Sequence, residues 1–267
     1  MIYHRGTTPD YGTTPRLSQS IANVLLQQSP LHAWQRHAKL GGTPRPTTKA
    51  LDAGSLVHAM LLGTTAEDVV IVAAADWRTK AAQALRDEAV ALGRVPVLEG
   101  DYTEALTTSQ AIATRLSAIG ITLVATTCAE VTATWDEDGV PCIGRFDYFD
   151  GAQLVDLKST RSAHPDAVRK AIDAYGYDVQ AVAYHRAALA NGYEVDPIRL
   201  VFFELEPPFA VYAPELSPTY LRMGERKWLR AVDTWRECLA TGHWPGYAAD
   251  APLDPSSWAL AREMEIA

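Results

Sequence analysis

Three charged side chains in the middle of the chain have the types and spacing of a metal site. Asp156 and Lys158 lie two residues apart in a segment of strand type, so their side chains share one face. Asp147 lies near the end of the preceding strand, and the Asp150-Gly151 pair predicts a tight turn that brings it opposite Asp156. Neighbouring carboxylates repel each other unless a divalent cation lies between them. The spacing therefore predicts a divalent-metal site, with a structural ion pair to Lys158 as the alternative.

A family resemblance starts from these same residues. Gly144-Arg-Phe-Asp147, followed by Asp156-Leu-Lys158, resembles the metal-binding signature of the PD-(D/E)XK nucleases. Within that superfamily the chain is similar to the RecE-type (exonuclease VIII) phage and prophage exonucleases, which are related to the RecB nuclease domain and to lambda-type exonuclease. Asp156 stands where many members have Glu, and Asp is a known choice in the RecE-type branch.

Further segments extend the resemblance in the same order along the chain. Gly54-Ser55-x-x-His58 resembles a helix whose histidine is a metal ligand, although a lone histidine on an apolar helix more often belongs to a core. Glu130 matches a glutamate that lies near the metals in this family, and an exposed strand position is its alternative. Tyr177-x-x-Gln180-x-x-x-Tyr184 resembles a helix of the RecB-like group and places three polar side chains on one helical face. Residues 17–34 resemble the helix that covers the DNA channel in many RecB-like nucleases.

The resemblance implies a role for each of these residues. Asp147 and Asp156 would be the main ligands of one or two Mg²⁺ ions, for which Mn²⁺ could substitute. The remaining metal ligands would be His58, Glu130 and the backbone carbonyl of Leu157. Lys158 would orient the attacking water, and Gln180 and Tyr177 would position Lys158 or the strand that is cut. The residues expected to take part in catalysis are thus Asp147, Asp156, Lys158, Glu130, Gln180 and Tyr177.

The same resemblance implies a substrate and partners. We expect a metal-dependent exonuclease that digests double-stranded DNA from its ends, 5′→3′, to leave 3′ single strands for phage recombination. The expected assembly is a homo-oligomeric ring, a trimer or tetramer, working with a single-strand annealing protein in the bacterial cytoplasm. The alternatives are another RecB-like nuclease, either an endonuclease or a helicase-associated module, and a catalytically silent protein that binds DNA ends. A Cas4-like protein needs four cysteines, and this chain has three.

The charge distribution allows a DNA enzyme but disfavours a protein that coats DNA. The 267 residues carry 24 Lys and Arg against 32 Asp and Glu, a net charge of −8. Residues 1–50 contain a single acidic side chain, Asp10, and six basic ones: Arg5, Arg16, Arg36, Lys39, Arg45 and Lys49. We expect DNA to lie along this basic segment and to contact five further residues: Ser55, Arg161, Arg169, Lys170 and Tyr184.

The order of the predicted elements indicates an α/β (α+β) fold. Apolar periodicity predicts helices over 51–62, 80–92 and 101–116, the last capped by Asp101 with Glu104 at capping-box spacing. An antiparallel meander follows at 130–159, then helices and strands. The resemblance implies a PD-(D/E)XK restriction-endonuclease-like core, with a mixed sheet flanked by helices. We expect one nuclease domain over 1–267, comprising a helical part (1–120) that covers the active site, a catalytic core (121–215) and a C-terminal helix and tail (216–267).

The sequence contains no signal for a membrane or a nucleotide. No run of about 20 apolar residues is present, and the N-terminus lacks an apolar core of signal-peptide type. The P-loop pattern G-x-x-x-x-G-K-[ST] is also absent. We therefore expect no membrane attachment and no nucleotide cofactor.

Overall fold

The computed structural model describes residues 1–5, 7, 14–42, 53–64, 69–123, 126–196, 198–247, 254–256, 258 and 262. The predictions made for Asp10, Arg45, Lys49 and the start of the first long helix at Leu51 lie outside these ranges. Among the helices in these ranges, none is long and apolar enough to cross a membrane.

Helices and strands alternate along the described ranges. The α-helices are α1 (Gln19–Gln27), α2 (Pro30–Arg36), α3 (Ala53–Leu61), α4 (Lys80–Ala91), α5 (Glu99–Ala118), α6 (Pro165–Tyr175), α7 (Tyr177–Ala190) and α8 (Pro218–Thr241). The strands are β1 (Ile2–Tyr3), β2 (Leu17–Ser18), β3 (Val69–Val72), β4 (Val95–Leu98), β5 (Ala129–Glu137), β6 (Val140–Phe149), β7 (Leu154–Thr160), β8 (Arg199–Glu204) and β9 (Val211–Tyr212).

A mixed sheet forms the centre of the described part of the chain. Its strands follow the order β1-β5-β6-β7-β8-β9, and β2 pairs with β6 beside this path. Strands β5, β6 and β7 form the predicted antiparallel meander, while β8 runs parallel to β7. The predicted α/β fold, with a mixed sheet flanked by helices, is confirmed.

Helices cover both faces of this sheet. Strand β8 shows the arrangement, because Leu200 and Phe202 join the apolar cluster with α7 and α8, whereas Val201 and Phe203 join the cluster with α3 and α5. A strand buried on both faces has a continuous apolar run, as β8 has between its two charged end residues. The two apolar layers hold the sheet rigid behind the charged residues of β6 and β7.

One prediction about local structure is wrong, and one strand was not predicted. Helix α5 begins at Glu99 after Leu98 and has no side-chain cap, so Asp101 lies in its first turn and forms no capping box with Glu104. The segment before it, Val95–Leu98, is a strand that the sequence reading did not assign, and it pairs in parallel with β3. Pro96 masks the strand pattern, because proline lacks the amide donor that a central strand needs; a two-stranded sheet tolerates it.

A buried carboxylate ties the meander to α7 and α8. Glu137 is 5% exposed and accepts hydrogen bonds from the indole N–H groups of Trp135 and Trp228, at 3.1 and 3.2 Å. Arg186 on α7 pairs with the other carboxylate oxygen. Burial acts to raise the pKa of Glu137, but the hydrogen bonds from Arg186 and the two indoles outweigh it and hold the pKa below its ordinary value.

We predict that Glu137→Gln lowers the free energy of unfolding by about 1–3 kcal/mol, since it removes charge-assisted hydrogen bonds from a buried site. Glu225→Gln is the matched control, because the Glu225 side chain is 49% exposed and pairs with the same arginine. Urea denaturation measures both. A loss in the control equal to that in Glu137→Gln would contradict this account.

The same substitution tests the pH dependence of stability. Because the folded-state pKa of Glu137 lies below the ordinary 4.5, its contribution is complete above pH 4.5 and disappears as the pH falls further. Unfolding measured between pH 3 and pH 5 should therefore be less pH-dependent in Glu137→Gln than in the wild type.

Helices α7 and α8 approach so closely that one contact requires glycine. A Cβ atom at Gly224 would lie 2.3 Å from the backbone oxygen of Asp178. Asp178 is fully buried, and its carboxylate accepts a hydrogen bond of 2.6 Å from Lys227. Any side chain at Gly224 therefore forces α8 away from α7.

We predict that Gly224→Ala lowers the melting temperature, at a free-energy cost of about 1–3 kcal/mol from overpacking. Gly100→Ala is the control, because Gly100 lies within α5 and its added Cβ meets no atom within 4 Å. Alanine there should leave stability unchanged or raise it by up to about 1 kcal/mol. Thermal unfolding compares the two, and equal effects would refute the close-approach argument.

Candidate active site

An interruption in strand pairing opens a pocket in the centre of the sheet. Strand β6 pairs with β7 only at Tyr148 and Phe149, and with β2 only at Cys142 and Ile143. Between these contacts, residues 144–147 pair with neither β2 nor β7 in the described structure. A pocket of about 490 Å³ lies here, and Asp147, Asp156 and Lys158 line it together with residues of α7 and the start of α1.

Asp147 takes the place of the missing strand pairing. Its Oδ2 accepts a hydrogen bond of 2.7 Å from the backbone N–H of Leu157, across the predicted Asp150-Gly151 turn. The same oxygen lies 3.0 Å from Nε2 of His58 on α3. Burial acts to raise the pKa of Asp147, but the hydrogen bond and charge of His58, with Lys158, hold the pKa below its ordinary value. The expected proximity of Asp147 to the Asp156 strand is thus present.

Asp156 is the most buried charged group of the pocket. It is 2% exposed, its Oδ1 accepts a 2.8 Å hydrogen bond from the Gln180 amide, and its Oδ2 lies 2.5 Å from Nζ of Lys158. No hydrogen-bond donor of the described residues is aligned on this Oδ2. Burial, and then the charge of Asp147, raise the pKa of Asp156 to about 6. The protein therefore holds this carboxylate in a place where its charge is unfavourable.

Lys158 is held as a cation. Burial acts to lower its pKa, but the charges of Asp156 and Asp147 outweigh burial and raise the pKa above its ordinary value. The ring of Tyr177 lies beneath the ammonium group, with Nζ 4.7 Å from the ring centroid. The Lys158 ammonium group can therefore donate hydrogen bonds and stabilise negative charge, but it does not act as a base at neutral pH.

Helix α7 carries side chains that support the pair of Asp156 and Lys158. Gly176, whose backbone is left-handed (φ 66), ends α6 and directly precedes the first residue of α7. Gln180 and Tyr184 follow on the face predicted from their spacing. The Tyr184 hydroxyl shares a hydrogen bond with Gln180, and burial raises the pKa of Tyr184 to about 12. Its ring packs so closely on β6 that a Cβ at Gly144 would lie 2.9 Å from it.

The other predicted site residues lie at different distances from this pocket. Glu130 does not line it; the Glu130 carboxylate lies 3.7 Å from Arg5 instead, at a position where the backbone has a positive φ of 51. That distortion at the start of β5 turns the side chain from the direction that strand alternation implies. Tyr184 lines the pocket but is only 7% exposed, so it offers DNA little surface.

The other four predicted DNA contacts do not line the pocket. Ser55 is exposed on α3. Arg161 follows β7 and lines a separate cavity of about 530 Å³ with Glu204 and Glu206. Arg169 pairs with Asp166 on α6, and Lys170 is exposed beside it. Their contact with DNA stays a prediction.

Several pocket residues were not identified as site residues from the sequence. They are Ser18, Gln19, Ser20, Thr132, Ile143 and Arg145. The spacing of Arg145, directly after Gly144 and two residues before Asp147, was the available signal for one of them. The start of α1 reaches the pocket through the pairing of β2 with β6, and Thr132 through the pairing of β5 with β6; no local sequence pattern predicts the first of these pairings.

The pocket residues fit a hard divalent cation in part. Asp156 supplies a buried carboxylate oxygen whose partner among the described residues is the Lys158 ammonium group, and Asp147 supplies a second carboxylate from the neighbouring strand. Oxygen ligands of this type suit Mg²⁺ or Mn²⁺. The described residues nevertheless contain no group of three His, Cys, Asp or Glu side chains already arranged around one metal position. His58 and Lys158 instead balance the two negative charges.

Comparison with known proteins agrees with the fold. Residues 22–253 match the family described as "PDDEXK-like domain of unknown function (DUF3799)". A solved structure from Eubacterium rectale, described as a "Putative exonuclease", has a TM-score of 0.59 and 13% sequence identity, with 96% of this chain and 98% of that chain covered. No curated protein matches the chain. Since the family model covers most of its length, the chain belongs to this PDDEXK-like family and thus to the PD-(D/E)XK nuclease superfamily.

Proposed function

We propose that this protein is a metal-dependent nuclease that hydrolyses phosphodiester bonds of DNA. One observation carries the proposal. Asp147 and Asp156, from neighbouring strands, line one open pocket, and the protonated Lys158 lines the same pocket. Membership of the PDDEXK-like family supports a nuclease, and enzymes of this superfamily generally use divalent metals.

The cation would be bound chiefly by Asp147 and Asp156, with His58 as the third side chain in reach of Asp147. The predicted carbonyl of Leu157 would add an oxygen ligand. Binding requires the His58–Asp147 and Lys158–Asp156 contacts to loosen. A bound divalent ion supplies Lewis-acid stabilisation of the charge that develops on phosphoryl and leaving oxygens.

The chain's own groups then have separate tasks. Lys158, freed from Asp156, donates hydrogen bonds to a phosphoryl oxygen or to the attacking water, whose orientation it fixes. Tyr177 packs under its ammonium group and restricts where Nζ can go. Gln180 holds Oδ1 of Asp156, and the other oxygen would be the one to bind a cation. Positioning and electrostatics are what phosphoryl transfer requires of a protein.

Within this class we propose the RecE-type activity. The substrate would be linear double-stranded DNA, digested 5′→3′ from its ends by Mg²⁺-dependent cleavage in phage recombination. A ring of three or four copies, a single-strand annealing partner and a cytoplasmic location belong to the same proposal. The ordered motifs from Gly54 to Gln180 support it, and so does the fold shared with a protein described as a "Putative exonuclease".

A silent protein that binds DNA ends is the second candidate. The contacts of His58 with Asp147 and of Lys158 with Asp156 favour it, because they offset part of the negative charge without a metal. Hydrolysis distinguishes the two candidates directly.

We predict that Asp156→Ala and Lys158→Ala each reduce DNA cleavage by at least about 100-fold, since each removes electrostatic stabilisation from the reacting centre. The assay follows 5′- and 3′-labelled linear duplexes in Mg²⁺ and in EDTA. Asp150→Asn is the control: Asp150 is exposed and caps the neighbouring turn, which asparagine also does. Absence of wild-type cleavage of any DNA or RNA in Mg²⁺ or Mn²⁺ would leave only the silent candidate.

We also predict that Mn²⁺ raises the melting temperature of the wild type, because a ligand bound only by the folded state at 100 times its Kd adds about 2.7 kcal/mol. Asp156→Asn should abolish the shift, whereas Asp150→Asn should retain it. Scanning calorimetry in Mn²⁺ and EDTA measures the shift without reference to activity. An equal shift in Asp156→Asn would place the metal elsewhere.

A further inference from the structure

Arg145 is an unassigned cation at the pocket. It lies on β6 between Gly144 and Asp147, its side chain is exposed, and it lines the same pocket as Asp156 and Lys158. The proposed mechanism gives Arg145 no role in metal binding or catalysis. A guanidinium group beside two carboxylates would ordinarily pair with one of them.

The two carboxylates of the pocket are already engaged by other partners. Asp147 is bound by His58 and by the Leu157 N–H, and Asp156 by Gln180 and Lys158. The side chain of Arg145 forms no ion pair, hydrogen bond or ring contact with the other described residues. Its five N–H donors are therefore available at the opening of the pocket.

The adjacent wall of the pocket also favours an anion. Ser18, Gln19 and Ser20, at the start of α1, line it, and the pairing of Ser18 with Ile143 places this helix start two residues from Arg145 along β6. The first turn of α1 contains no acidic residue, so its backbone N–H groups and partial positive charge are not neutralised by a carboxylate there. The hydroxyl groups of Ser18 and Ser20 lie 3.0 Å apart and share one hydrogen bond, which leaves one hydroxyl hydrogen for a further acceptor.

We propose that Arg145 binds a phosphate of the nucleic-acid strand beside the bond that is cut. The inference rests on the proposed nuclease function and names a substrate-binding residue for it. The planar guanidinium takes two phosphate oxygens at once, and the start of α1 lines the same pocket. Lys158 remains the cation of the reacting centre, and Arg145 fixes the register of the strand over Asp147 and Asp156.

Arg145→Ala and Arg145→Lys test this role. Arg86→Ala is the charge-matched control, because the Arg86 side chain on α4 is 42% exposed, pairs with its neighbour Asp87 and does not line the pocket. Cleavage kinetics in Mg²⁺ separate KM from kcat. Fluorescence anisotropy of a labelled duplex in EDTA, between 50 and 200 mM salt, measures binding independently of activity.

We expect Arg145→Ala to raise KM about 5- to 10-fold with kcat changed less than about 3-fold, and to reduce the slope of log K against log salt by about 1, the loss of one phosphate contact. Arg145→Lys should keep the slope and recover part of the KM. The same slope and KM in Arg145→Ala as in Arg86→Ala would overturn the inference, as would a fall in kcat alone. A wild type that binds and cuts no nucleic acid would overturn the proposed function, and this inference with it.

Discussion

The hydrogen bond from the Leu157 N–H to Asp147 replaces a rung of the sheet, and the site depends on it. Where β6 and β7 separate, a side chain rather than a backbone carbonyl satisfies this N–H. The same geometry holds Asp147 against the strand that carries Asp156 and leaves an opening beside them. Burial, and then repulsion from the charge of Asp147, raise the pKa of Asp156. A divalent cation would relieve that repulsion.

Packing behind the pocket keeps this unfavourable arrangement in place. Tyr184 and Gln180 on α7 lie directly beneath β6 and β7, and Gly144 allows the tyrosine ring to approach. Helix α7 is in turn fixed to α8 by the close contact at Gly224 and to the meander by the Glu137 network. The apolar layers on both faces stabilise the sheet, so that the charged groups need not contribute to stability themselves.

Patterns within short segments of the sequence predicted the centre of the site. The parts of the site that depend on contacts between distant segments were predicted poorly. The Asp150-Gly151 turn and the Asp156-x-Lys158 alternation depend on neighbouring residues, and the described structure contains both. Glu130 was placed by motif alone, and a positive backbone φ redirects it to Arg5. The opening beside β6 arises because β2 pairs with only part of that strand. Ser18 of β2 pairs with Ile143 of β6, which lies 125 residues later in the chain. No periodicity within either segment specifies that pairing, so Arg145 and the start of α1 were not recognised as parts of one pocket.

The central claim is that Asp147 and Asp156 together hold a divalent cation in this pocket. A crystal of the protein soaked in Mn²⁺, with anomalous diffraction measured, tests it most directly. The account predicts an anomalous peak within about 2.0–2.4 Å of oxygens from both carboxylates, a distance range typical of hard cations, with Lys158 displaced from Asp156. A pocket without a peak, in which the His58–Asp147 and Lys158–Asp156 contacts persist at saturating Mn²⁺, would contradict it.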